Sequence, residues 1–242
     1  MLTLGIETAT DVCSVALLEG DAVLAEASLR MPRQHAARLM PLIRDVLAHT
    51  GRSATDLDLV AVSEGPGSYT GLRIGVSTAK GLALAADARL IGVSSLEALA
   101  WQAAPFAQPG DRIAVAFPSR RGEVYAAGFI ASPEQEVGPL LGAEPTAVVL
   151  DEAAAWWPTS TVPRGSTLFM GAAAQDLALV LKPAPYRVVH HHDVAPSAVA
   201  VARLGDERAY DVRDGAWHTE DVASFEPSYL KEFVAGKPRP LF

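Results

Sequence analysis

The segment from residue 59 to 86 constrains this chain most. A short apolar run, LVAVS, leads into the glycine turn GPGSYTGLRIG at residues 65 to 75, and apolar residues then recur at helical spacing up to Ala86. A strand passing into a helix through a tight turn is the unit of an α/β layer, in which a sheet buries its faces under helices. A meander precedes it: residues 2 to 7, 12 to 18 and 22 to 29 read as strands joined by Thr8-Ala9-Thr10-Asp11 and Glu19-Gly20-Asp21. Between the meander and the turn lies a helix, Gln34 to His49. Its Leu39, Leu42, Ile43, Val46 and Leu47 fall at three- and four-residue intervals, and Pro41 is expected to kink it. A strand at Leu90 to Val93 and a helix from Leu96 to Ala103 close the first half, with Ser94 and Glu97 as a capping box.

The second half reads more sparsely. Ile113 to Phe117 and Val124 to Phe129 make a hairpin around Arg120-Arg121-Gly122. A strand at Thr167 to Met170, a helix at Ala173 to Leu181, a strand at Tyr186 to His190 and a helix at Ser197 to Leu204 behind Pro196 follow. Two halves that both mix strands and helices suit a duplicated fold, divided as residues 1–105 and 106–242. With 242 residues, half of them hydrophobic, the chain can bury a large core.

Charge narrows the partners. A net charge of −8 repels nucleic acid, and the densest basic pair, Arg120 and Arg121, is answered at once by Glu123. Lys237 and Arg239 are too few to hold a polyanion, so the expected partner is a protein. Cys13 is the only cysteine, which excludes an intramolecular disulfide and a thiolate metal cluster; its strand neighbours mark it as a buried hydrophobe. No basic leader and no run of eighteen apolar residues is present, and a soluble cytoplasmic protein is expected.

The glycine turn sits where helix N–H groups converge, as a phosphate site requires. Yet Thr70 stands where both the P-loop and the dinucleotide pattern need glycine. The alternative is structural: Pro66 and the glycines shape a turn that Thr70 caps. Beyond it, Gly75, Ala79 and Ala83 recur every four residues and form a groove into which another helix can pack, with Leu72, Ile74, Val76 and Leu82 around it. Together with Leu39, Ile43 and Val46 of the first helix they are expected to make a two-helix docking face.

Chemistry is thin elsewhere. His35 reads as a capping or surface residue, and His190-His191-His192-Asp193 alternates across a strand, unable to share one ion easily. Glu7 alone could hold a hydrated Mg²⁺. No GxSxG and no cysteine beside a base is found, so no catalytic set, metal or cofactor is expected.

The segments LTLGIETATDVCSVALL, HAARLMPLI, LVAVSEGPGSYTGLRIGVSTAKGLALA, IGVSSLEALA and RRGEVYAA together resemble the TsaB family of tRNA threonylcarbamoyladenosine biosynthesis proteins. The match covers the first 127 residues closely; beyond them only scattered features such as EPSYLKEF look like the family. The resemblance implies an actin-like ATPase-domain (ribonuclease H-like) fold with two similar lobes, each a mixed sheet flanked by helices. It implies a non-catalytic partner of TsaD, the paralogue that transfers the threonylcarbamoyl group to adenosine 37 of tRNAs reading codons that begin with A. It also implies a complex with the ATPase TsaE, a homodimer when alone, contact with tRNA only through the complex, and no membrane association. The docking surface it implies uses the helices Gln34 to His49 and Leu72 to Ala86, with the glycine-rich loop Gly65, Gly67, Ser68, Thr70, Gly71 and Arg73 at their side.

The histidine pair that holds metal in TsaD-like enzymes aligns with Ser95 and Leu99. The second-lobe nucleotide loop falls near FMGAAAQ, residues 169 to 175, where one glycine remains. Pro118-Ser119 stands where the family usually has an aspartate. An active ATPase or small-molecule kinase of the same superfamily is the alternative, and a metalloprotease a third reading that the missing histidines disfavour.

Overall fold

Three consecutive strands, Leu2–Glu7 (β1), Val12–Glu19 (β2) and Ala22–Arg30 (β3), pair antiparallel, as their short connections allow. This computed structural model describes residues 1–132, 137–139, 143–158, 165–183, 185–190, 194–211 and 216–230. Leu59–Gly65 (β4) pairs parallel with β1, and Arg89–Ser94 (β5) parallel with β4, giving the order β3-β2-β1-β4-β5. Parallel neighbours need crossovers, supplied by the helices His35–His49 (α1) and Tyr69–Ala86 (α2). Helix α1 runs through Pro41 without ending. Both helices cover one face of the sheet: Leu39, Ile43, Val46, Val76, Ala79 and Ala83 join Leu4, Ile6, Val15, Leu17, Val60 and Val62 in one core.

The second sheet repeats this plan. Arg112–Pro118 (β6) and Glu123–Ala131 (β7) pair antiparallel, with Val137–Pro139 (β8) and Thr146–Val149 (β9) both antiparallel on β7. Thr167–Met170 (β10) lies parallel to β6 and Tyr186–Val188 (β11) parallel to β10. The order β8-β7-β6-β10-β11 matches β3-β2-β1-β4-β5 strand for strand, as expected of a duplicated fold. Ser95–Trp101 (α3) precedes the sheet. Ala153–Trp156 (α4) and Ala174–Leu181 (α5) belong to its outer core, while Ala198–Ala209 (α6) and the pair Tyr210–Asp211 (β12) and Ala216–Trp217 (β13) follow. Strands β8 and β9 and helix α4 had no pattern in the sequence, being three or four residues long.

Two helices tie the halves together. Helix α3 sends Leu96, Leu99 and Ala100 into the core of the second sheet, whereas α6 lays Ala198, Val201, Ala202 and Leu204 on the first. Each inner face is therefore covered by a helix from the other half of the chain. A division at residues 105 and 106 is a proposal about the chain, and these two helices cross it.

Candidate functional site

The glycine turn is held by the β1–β2 connection. Strand β4 ends at Gly65 with φ of +126°, a conformation that side chains rarely adopt. Ser68 N–H donates to the Ala9 carbonyl at 2.7 Å, and Ser68 Oγ caps α2 by accepting from Gly71 N–H at 3.2 Å. The cap is thus Ser68 and not Thr70, because the helix starts at Tyr69, three residues before the expected Leu72. A Cβ on Gly67 would run into the Ala9 carbonyl, one on Gly71 into the Thr8 carbonyl, and one on Gly75 into Thr8 Oγ1. These glycines let α2 settle on the turn after β1, while Thr70 and Arg73 face solvent.

The docking face expected from the sequence turns inward. Leu39, Ile43, Val46, Leu72, Gly75, Val76, Ala79 and Ala83 are all buried in the chain's own core, and Leu82 is half-buried. Helical periodicity identifies an apolar stripe but not what it packs against, and here the stripe packs on the first sheet. The residues left outside include Met40 on α1 and Thr70, Arg73, Ser77, Gly81, Leu84 and Ala85 on α2, with Ile74 partly covered. Between the helices a hollow of about 310 Å³ is lined by Met40, Leu47 and Leu82 among others.

A further stripe of α2 is taken by the chain's own C-terminal segment. Phe225 is buried in the first core, and Lys80 Nζ donates to the carbonyls of Ala223 at 3.0 Å and Phe225 at 2.9 Å. Ser228 N–H donates to the Glu64 carbonyl at 2.8 Å. Tyr229 lies 5.1 Å from the Tyr69 ring, over which Arg73 also sits at 4.5 Å. A Cβ on Gly65 would meet the Ser228 carbonyl at 2.5 Å, so the turn and this strap were shaped together. EPSYLKEF marked part of the strap; Phe225 just before it gave no separate signal.

Turns and strand ends from both halves of the chain line a cleft of about 610 Å³. The first half contributes Ala9, Asp11, Arg30, Gly67, Ser68 and Tyr69; the second contributes Phe117, Pro118, Ser119, Arg120, Tyr125 and Gly171. Gly171 and Ala172 of the FMGAAAQ segment thus reach the cleft, as does the Pro118-Ser119 departure.

Glu7 stands behind this wall. Its side chain is fully buried; Oε1 accepts from Ala9 N–H at 2.6 Å, and Oε2 has no partner. Burial pushes its carboxyl up to about 7 against the hydrogen bonds from Ala9 and Ser63. The sequence offered Glu7 only as weak evidence for a hydrated Mg²⁺, and its carboxylate is enclosed in the fold, which leaves little room for the ion's waters. Cys13 is buried as expected, and burial followed by the Glu7 charge pushes its thiol up to about 11.

His35 proves to be buried rather than a surface residue, with Nε2 3.1 Å from the Val12 carbonyl. His191, His192 and Asp193 lie outside the described residues, as do Lys237, Arg239 and the last three residues of EPSYLKEF. Ser94 Oγ accepts from Glu97 N–H as the capping box requires. Ser95 and Leu99 are both fully buried on α3. Among the described residues no group of three or more His, Cys, Asp or Glu could hold a metal ion, and no helix is long and apolar enough to cross a membrane.

Residues 23–138 match the family of TsaD, tRNA N6-adenosine threonylcarbamoyltransferase. Over 152 residues, 63% of this chain, the sequence is 42% identical to the tRNA threonylcarbamoyladenosine biosynthesis protein TsaB of Escherichia coli, and over 125 residues 40% identical to that of Bacillus subtilis. Over these stretches the chain is similar to the TsaB proteins. These matches span 64% and 53% of the two TsaB relatives' own lengths. In three dimensions the chain follows YeaZ from Pseudomonas aeruginosa with a TM-score of 0.75 at 23% identity, covering 95% of this chain and 99% of that one. A second P. aeruginosa structure, of a protein with similarity to peptidase YeaZ, gives 0.77 at 24%. The fold is that of these two structures, with two mixed sheets of matching strand order flanked by helices, as the TsaB resemblance implied.

Proposed function

We propose that this chain is a non-catalytic partner in making threonylcarbamoyladenosine in tRNA. In this reading it docks on TsaD, supports transfer to adenosine 37 of tRNAs reading codons that begin with A, joins TsaE in the same cytoplasmic complex, and pairs with itself when alone. The observation that carries it is the 42% identity to a TsaB protein over 63% of the chain. The lack of chemistry fits: Leu99 offers no donor atom, Ser95 is sealed in the core, and the glycine turn is occupied with close packing against Thr8 and Ala9.

The docking face is assigned to the outward side of α1 and α2, not to the buried stripe. Met40 and Leu84 are exposed apolar side chains, and a Cβ on Gly81 would meet nothing within 4 Å, so a partner helix can approach closely there. The test is Met40→Glu and Gly81→Arg, each co-expressed with TsaD from the same organism, read by co-purification and by mass spectrometry of tRNA nucleosides. Both variants are expected to fold, lose TsaD and fail to support the modification. Full co-purification of both would overturn the docking face, and modification by this chain without TsaD would overturn the non-catalytic role.

A further inference from the structure

We propose that the strap from Glu220 to Tyr229 is a pH-sensitive latch on the first lobe, seated over Glu64 while that carboxyl is protonated and released as it ionises. The seat is shaped for closure. Gly92 of β5 does not have a left-handed backbone, so its conformation does not call for glycine. Space does: a Cβ there would lie 2.4 Å from Glu64 Oε2 and 2.8 Å from the tip of the Phe225 ring. The carboxylate and the ring therefore lie side by side over the strand, and the ring that anchors the strap also covers the carboxylate. An ionised carboxylate needs water, which a seated ring keeps from that side. The strap has few other holds. It forms no helix or strand, and of its residues, all of them described, Phe225 alone is buried. Glu220 N–H donates to the Leu90 carbonyl and Ser228 N–H to the Glu64 carbonyl, both at 2.8 Å, and Lys80 Nζ reaches the carbonyls of Ala223 and Phe225. A segment held at so few points can open without unfolding the rest.

Charge supplies the trigger. Around Glu64 stand Glu220 of the strap, Glu97 of α3 and Arg208 of α6, and the Arg208 guanidinium is already paired with Glu97. Burial first, then the Glu220 charge, and Glu97 least, raise the Glu64 carboxyl above its ordinary 4.5 against the pull of Arg208. The seated strap therefore holds this proton more tightly than the released one. The contribution to seating is present in full below pH 4.5 and is lost as pH rises through the raised value. Ionisation also sets Glu64 against Glu220, a charge carried by the strap itself. Release uncovers the stripe of α2 made by Tyr69, Arg73 and Lys80.

The test is amide hydrogen exchange of the full chain between pH 5 and pH 8.5, with the Glu220 and Ser228 N–H groups read against their intrinsic rates. Their protection is expected to fall about tenfold or more across that range in the parent and to stay level in Glu64→Gln. In Glu220→Gln, an exposed position whose change leaves the fold intact, the fall should be smaller. Glu7 titrates in all three proteins, so any fall that it causes would persist in Glu64→Gln. Level protection in the parent, or a fall as large in Glu64→Gln as in the parent, would overturn the latch. Should Glu64→Gln not fold, an undiminished fall in Glu220→Gln would do the same. The docking face is read by co-purification instead, so failure of the latch is distinguishable from failure of that assignment.

Discussion

Replacing Glu7 by glutamine should change how stability depends on pH, in a direction fixed by burial. The carboxyl is raised from its ordinary 4.5 to about 7 because the fully enclosed side chain resists ionisation. The folded protein therefore holds this proton more tightly than the unfolded chain does. The contribution is fully present below pH 4.5, is lost as pH rises through about 7, and is absent above. At roughly 1.4 kcal/mol per pH unit, the interval amounts to about 3 kcal/mol. Glutamine cannot ionise and keeps an oxygen for the Ala9 N–H. Its amide nitrogen takes the place of the partnerless Oε2 at a fixed cost that does not vary with pH. Urea unfolding of both proteins at pH 4.5, 6, 7 and 8 should show Glu7→Gln gaining about 3 kcal/mol relative to the parent between the lowest and highest pH. A difference that stays flat across the series would show that Glu7 ionises normally, and the enclosure argued from the geometry would be wrong.

Other substitutions separate packing from surface. Gly75→Ala should cost about 1–3 kcal/mol because its Cβ would overlap Thr8 Oγ1, whereas Gly81→Ala, with open space around it, should add up to about 1 kcal/mol; paired urea titrations distinguish them. Phe225→Ala should cost about 3–5 kcal/mol and expose the strap to limited proteolysis, since the ring is buried in the first core. Asp111 is buried, which raises its carboxyl, but the N–H groups of Gln108 and Ser166, the Ser166 hydroxyl and Arg187 outweigh this and hold it below the ordinary 3.8. Its contribution is present above pH 3.8 and lost on acidification, so Asp111→Asn should destabilise at neutral pH and show a smaller loss of stability on acidification.

Sequence alone settled the first lobe. Strands β1 to β5 and helices α1 to α3 fall where alternation and helical spacing placed them, within a few residues, because each is long enough to show its period. The glycine turn was legible as a turn, and Cys13 as core. What periodicity could not supply was the identity of the surface each stripe meets. Helix α2 is rich in apolar residues in part because it meets two surfaces of its own chain: the sheet takes Val76, Ala79 and Ala83, and the strap meets Tyr69, Arg73 and Lys80. That strap is about 140 residues away along the chain, and no local pattern links the two segments. The same holds for α6, which crosses to the first sheet, and for Glu7, whose raised proton affinity comes from being enclosed. Local propensity is written residue by residue, but burial is set by segments distant in sequence, and only the folded chain brings them together.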